Sequence, residues 1–337
     1  MPIPLAFQRH AIADALLRYA VPAGWFALLS GLFWIGDRSL YHKLYYLTLA
    51  APTLLIIVLQ PQWLGLVRRV TLINLFLLFA AYMLLSLLWS PTDASWLSLA
   101  KRPLYITLVF VAAVLLAQHA PQRLASATEW AAISAVLTAV VTIGIYVYRA
   151  EGGRLTGYGA LYNALKTTHV FGFFAVYWLC RWYQHPTPWA WTSIAALAVL
   201  GLLLLLTGSR APLLAMAVSL AWLAAAHARR QHLVVIVTAG LVTLVAWQCL
   251  LSGDSARGLS YRPAIWAEAL RQMDGRYWLG LGLEHPQVFK VDGLDEALAD
   301  THGTEMGVLF QGGIVGLGLW LVMYAYALGY AWRNRQR

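Results

Sequence analysis

The chain has 337 residues, of which 61% are hydrophobic and 11% charged, and its mean hydropathy is +0.64. Soluble domains carry about 25% charged residues, so the composition excludes an ordinary soluble protein and predicts a polytopic membrane protein. The formal net charge of +10 reads as anchoring at a membrane surface, and nucleic acid is not an expected partner.

A bilayer core of roughly 30 Å needs about 20 apolar residues per helix. In chain order the apolar runs predict helices over 20–36, 41–59, 71–89, 103–117, 128–148, 168–184, 190–207, 211–226, 232–250 and 304–330. The predicted fold class is all-α: a polytopic transmembrane helical bundle of about 10 (10–12) helices, with one long loop on the outer side containing short helices. Residues 1–251 hold the first nine helices, 252–303 the outer loop with an interfacial helix, and 304–337 the last helix and a basic cytoplasmic tail. Residues 1–20 carry Arg9, Asp14 and Arg18 without the pattern of a cleavable signal, so the first membrane helix is expected to direct targeting. Cys180 and Cys249 lie near opposite faces on this topology and read as small packing residues.

Orientation follows from the basic residues. A cytoplasmic N-terminus puts Arg9, Arg18, Arg68, Arg69, Arg123, Arg181, Arg229, Arg230 and the tail arginines inside. It leaves Lys101, Arg102, Arg149, Arg154, Lys166 and Arg210 outside, against the usual trend. Basic groups kept on the outer face suit an anionic ligand such as a lipid-linked phosphate. The helix middles are nearly free of charge, which disfavours an ion-coupled transport path through the bilayer.

Three residues stand out as candidates for chemistry. Arg210 closes Thr207-Gly208-Ser209-Arg210 and opens a helix with Pro212 in its first turn. Backbone N–H groups at a helix start and a guanidinium together make an anion seat. Arg262 precedes Pro263, which starts a short interfacial helix to about Met273; arginine binds phosphate oxygens in a bidentate manner. His302 follows Asp300 and Thr301, either of which is a candidate cap for the last helix. An imidazole titrating near about 6.5 is suited to general-base work, with Asp300 or Glu305 placed to orient it. Arg102, Arg154, Lys166, Tyr261 and Trp266 are the expected substrate-binding residues around these three. The acidic run Asp292, Asp295, Glu296 and Asp300 reads as a solvated helix face, and no metal or other cofactor is expected.

Together these segments resemble the O-antigen ligase family of bacterial inner-membrane proteins. The match rests on Thr207-Gly208-Ser209-Arg210, on Arg262-Pro263-Ala264-Ile265-Trp266 followed by Gly280-Leu281-Gly282, and on His302-Gly303 followed by Gly313-Ile314-Val315-Gly316. It covers about Leu204 to Leu319; Gly303 stands where the family usually has Asn, Ser or Gln. The resemblance implies a glycosyltransferase of the bacterial inner (cytoplasmic) membrane, with its active site on the periplasmic face. It would move an O-antigen-like glycan from undecaprenyl pyrophosphate to a sugar hydroxyl of lipid A–core, without metal and with inversion. In that reading Arg210 and Arg262 hold the pyrophosphate and His302 takes the acceptor's proton. The donor lipid, the acceptor and membrane lipids are then the partners. The rival readings are an O-antigen polymerase using the same donor and, more distantly, a transporter or flippase for a lipid-linked anion.

Overall fold

A computed structural model describes residues 5–149, 153–184, 190–226, 240, 261–291 and 297–334. The protein is an all-α polytopic membrane protein. Its long apolar spans are α1 (Gln8–Trp34), α2 (Arg38–Leu59), α3 (Thr71–Leu88), α4 (Trp96–His119) and α5 (Pro121–Arg149). Then come α6 (Ala164–Gln184), α7 (Ala190–Leu206), α8 (Arg210–Ala226), the short α9 (Arg262–Gln272) and the long final span α10 (Thr304–Arg333). Of the predicted helix over 232–250 only Gly240 is described, and it is helical; Cys249, Asp292, Asp295 and Glu296 lie outside the described residues.

Several helices begin earlier than the apolar runs. The first span starts at Gln8 rather than near 20, and there Arg18 and Asp14 neutralise each other one turn apart, at 2.9 Å. The fourth starts at Trp96 and runs through Pro103, which the sequence reading took as its beginning. A charged or proline-bearing turn continues a helix where it projects beyond the apolar core, so hydropathy alone misplaces the start.

Both α1 and α2 widen to π-helical turns, Leu16–Ala20 and Tyr46–Ala50. Each wide turn leads directly into Pro22 or Pro52. A proline has no N–H to donate and its ring crowds the carbonyl four residues back; widening the turn relieves both.

The chain divides into two compact units, Met1–Pro61 with Ala112–Gly253, and Gln62–Val111 with Asp254–Arg335. In the first unit, Ala131, Ala135 and Ala139 of α5 recur every four residues and are fully buried. This narrow face lets neighbouring helices approach closely, against Phe171 and Phe174 of α6 and Leu200 and Leu203 of α7. In the second unit α3 packs on α10, and the Tyr82 hydroxyl donates to the Gly312 carbonyl at 2.7 Å.

The last span is broken rather than smoothly helical: Gly313 has φ 62° and ψ −166°. The polar groups freed by this break do not go unpaired. The N–H groups of Ile314 and Val315 donate to the carbonyls of Tyr277 and Trp278, at 2.9 and 3.2 Å. Those of Leu281 and Gly282 donate to Phe310 and Gln311, at 2.9 and 2.8 Å. Irregular backbone inside a membrane protein persists only where protein satisfies it in this way.

Candidate active site

The predicted site residues fall in both units. In the second unit, Pro263 occupies the first turn of α9, where its fixed φ costs no hydrogen bond. The helix turns Ile265 and Ala269 into a small core with Met273, Leu281, Phe289 and Phe310, and that packing leaves Arg262 exposed. Nearby Arg271 is engaged differently: its guanidinium donates to both oxygens of Glu268, at 2.8 and 2.7 Å. Those bonds and one from Gln272 hold the Glu268 carboxyl below the usual carboxylate range. Arg262 has no ion-pair partner among the described residues, so it, unlike Arg271, is open to a ligand.

Trp266, one turn on from Arg262, donates its indole N–H to the Thr301 carbonyl at 3.0 Å. Thr301 is buried and its hydroxyl donates to the Gly303 carbonyl at 3.1 Å. His302 lies between them, exposed, at φ 51°. A non-glycine residue in this left-handed region signals local strain held by its surroundings. Here the Asp300 carboxylate accepts the His302 backbone N–H at 3.1 Å, and Trp266 clamps the preceding peptide. Gly303 completes the fit: a Cβ there would lie 3.3 Å from the Trp266 ring.

These bonds correct two expectations. Neither Asp300 nor Thr301 caps α10; its N-cap is Gly303, with no side-chain cap. Asp300 is spent on the backbone of His302 and Thr301 on the carbonyl of Gly303, so neither side chain accepts a first-turn N–H of the helix. Likewise Asp300 binds the backbone of His302 rather than its ring, and among the described residues no hydrogen bond reaches that imidazole.

Elsewhere in this unit Tyr261 is exposed and its carbonyl accepts from Ile265. Arg102, on α4, pairs with Glu284. In the first unit Arg154 Nε donates to the Thr207 carbonyl at 2.7 Å and its stem lies over Gly208, which has φ 62°. Arg154 is thereby fastened to the junction at which α8 begins with Arg210; the Arg210 side chain lies outside the described structure. Lys166 sits 4.6 Å above the Tyr162 ring and meets its hydroxyl at 3.4 Å. The structure thus joins Trp266 to the His302 loop and Arg154 to the Arg210 junction.

The O-antigen ligase family profile matches residues 194–321. Over 333 residues the chain is 46% identical to the O-antigen ligase of Pseudomonas aeruginosa, covering 98% of this chain and 82% of that relative. The chain belongs to the O-antigen ligase family. No solved structure matches it.

The geometry now explains motifs that this ligase-family chain shows as bare glycines. Gly280 and Gly313, with φ 70° and 62°, face each other so closely that a Cβ on Gly280 would lie 2.4 Å from the Gly313 nitrogen. Gly282, with φ 95°, admits Ser90 and the Ser86 carbonyl equally closely. Sequence reasoning named these glycines as motif positions without a role. It missed Tyr82 and Glu284 altogether and named Thr301 only as a candidate cap, from its place beside His302.

Proposed function

We propose that the protein transfers an O-antigen-like glycan from undecaprenyl pyrophosphate to a sugar hydroxyl of lipid A–core, at the periplasmic face of the bacterial inner membrane. One observation carries the reading: exposed His302 is held at a strained φ in a loop pinned by Trp266, on the same short helix that unpaired Arg262 opens. A relative 46% identical over nearly the whole chain is an O-antigen ligase, which supports lipid-linked glycan transfer as the general activity.

In the proposed reaction the acceptor hydroxyl oxygen attacks the anomeric carbon of the donor's first sugar. The anomeric C–O bond to phosphate breaks, and undecaprenyl pyrophosphate leaves with the bonding electrons. His302 accepts the hydroxyl proton. Arg262 and Arg210 bind the phosphates and stabilise the charge that grows on them, a contribution that typically amounts to about 3 kcal/mol per donor. Displacement without a covalent enzyme intermediate inverts the anomeric centre. The leaving group is already activated, and the two guanidinium groups take the place of a metal in this scheme.

The test is transfer by the purified full-length protein in lipid nanodiscs, with lipid-linked donor and lipid A–core. His302→Ala should lower the rate by about 100- to 10,000-fold, the usual worth of a general base, and leave donor binding intact. Arg262→Lys should weaken donor binding, because an ammonium cannot make the bidentate contact. A chelator should change nothing. Full activity in His302→Ala would remove the proposed base. A product that grows on a second lipid-linked glycan, with lipid A–core ignored, would make the enzyme a polymerase.

A further inference from the structure

The second unit contains an apolar cavity of about 250 Å³ between α3 and α4 that the proposed chemistry does not use. Phe79, Met83, Leu99, Pro103, Ile106 and Leu283 line it. Its lining on α3 runs from Phe76 to Leu84, about 12 Å along the helix. At the Phe76 end the ring of Phe110 stands edge-on to Phe76, centroids 5.4 Å apart. At the other end lies Arg102, the one charged residue in the lining, with exposed Lys101 beside it.

Arg102 is engaged by a carboxylate that the fold holds in an unusual way. Glu284 pairs with it from a left-handed backbone conformation, φ 57°. The preceding residue is clamped on both sides: the Leu283 N–H donates to Ser86 Oγ at 2.9 Å and Ser90 Oγ donates to the Leu283 carbonyl at 2.7 Å. Glu284 is therefore delivered to the mouth of the cavity by fixed backbone. Yet the Arg102 and Glu284 side chains are 62% and 36% exposed, and an ion pair so exposed contributes little. A phosphate offers the guanidinium the same two-oxygen face with comparable charge.

We propose that this cavity holds one acyl chain of an anionic phospholipid, whose phosphodiester takes Arg102 from Glu284. The spans beside it expose Leu78, Leu97 and Leu104 to the bilayer, so such lipids reach it laterally. Charge decides the headgroup: a zwitterionic lipid brings its own cation to an arginine, whereas a singly anionic phosphodiester complements it. The segment that carries Glu284 is bonded through Leu281 and Gly282 to Phe310 and Gln311 of α10, the helix that starts just after His302. The proposed binding stands independently of the function proposed above.

Native mass spectrometry of the purified full-length protein tests the binding, with phosphatidylglycerol and phosphatidylcholine of identical chains as probes. Phosphatidylglycerol should be retained preferentially, and Arg102→Ala should weaken it by about fivefold, matching roughly 1 kcal/mol per basic residue on an anionic lipid. Glu284→Gln should strengthen it, since the competing carboxylate is gone; this surface change leaves the fold alone. Ile106→Trp, at a half-exposed lining position, should block both lipids. Equal retention of the two lipids, or a preference unchanged in Arg102→Ala, would overturn the proposal. So would one-for-one displacement of phosphatidylglycerol by undecaprenyl pyrophosphate, which would give the cavity to the donor.

Discussion

His302 shows how much of a functional residue's behaviour is set by its neighbours. Its φ of 51° carries a cost of about 1–3 kcal/mol for a non-glycine residue, and two bonds offset it. The Asp300 carboxylate accepts its N–H, and Trp266 fixes the peptide before it. Trp266→Phe keeps an aromatic ring and removes the indole donor, leaving the carbonyl of buried Thr301 unpaired. An unsatisfied buried group costs about 1–3 kcal/mol. The variant should melt at lower temperature and transfer glycan more slowly, with donor affinity nearly unchanged. A melting curve and rate identical to the wild type would remove the clamping role argued for Trp266. The sequence showed an aromatic near an arginine and a histidine near a helix start. It did not show the bond between their segments, because Trp266 and Thr301 are 35 residues apart and nothing in local pattern encodes a contact at that separation.

At the scale of elements, the glycines of α10 divide by environment. Gly313 and Gly280 adopt positive φ and leave no room for a side chain; a Cβ on Gly313 would lie 2.3 Å from the Trp278 carbonyl oxygen. Gly318 and Gly329 belong to the same helix and have nothing within 4 Å. Gly313→Ala should therefore destabilise by about 3 kcal/mol or more, from strained φ and backbone overlap together. Gly318→Ala should stabilise the helix by about 0.5–1 kcal/mol, from the lost flexibility of the unfolded chain. Thermal unfolding in detergent measures both. The glycine-rich stretch was visible in the sequence, and with it the expectation of a kink. Which glycine breaks the helix was not, because that depends on the Tyr277–Gly282 strip that receives the freed N–H groups of Ile314 and Val315.

On the scale of the whole molecule, orientation is the question that charge poses. The basic residues predict an N-terminus and tail inside and the Arg262–His302 region outside. Cysteine placed at Arg276 or at Gln122, both exposed positions, in a chain with Cys180 and Cys249 replaced by alanine, reads this directly. An impermeant maleimide should label position 276 in intact spheroplasts and position 122 only after lysis. The reverse pattern would put the His302 loop in the cytoplasm, away from lipid A–core acceptors.

The amino-acid sequence alone determined the class of this protein: hydropathy set the helical, membrane-spanning fold, and three short motifs carried the O-antigen ligase family. Both signals are local, since a bilayer tests each span by its own length and each motif by its own residues. Tertiary structure decided the rest. It committed Asp300 to the backbone, tied Trp266 to Thr301, locked Gly280 against Gly313 and set Glu284 on Arg102. Each of these is a pairing of polar groups or bare backbone across a fold, chosen because a buried or freed donor must find an acceptor wherever packing brings one.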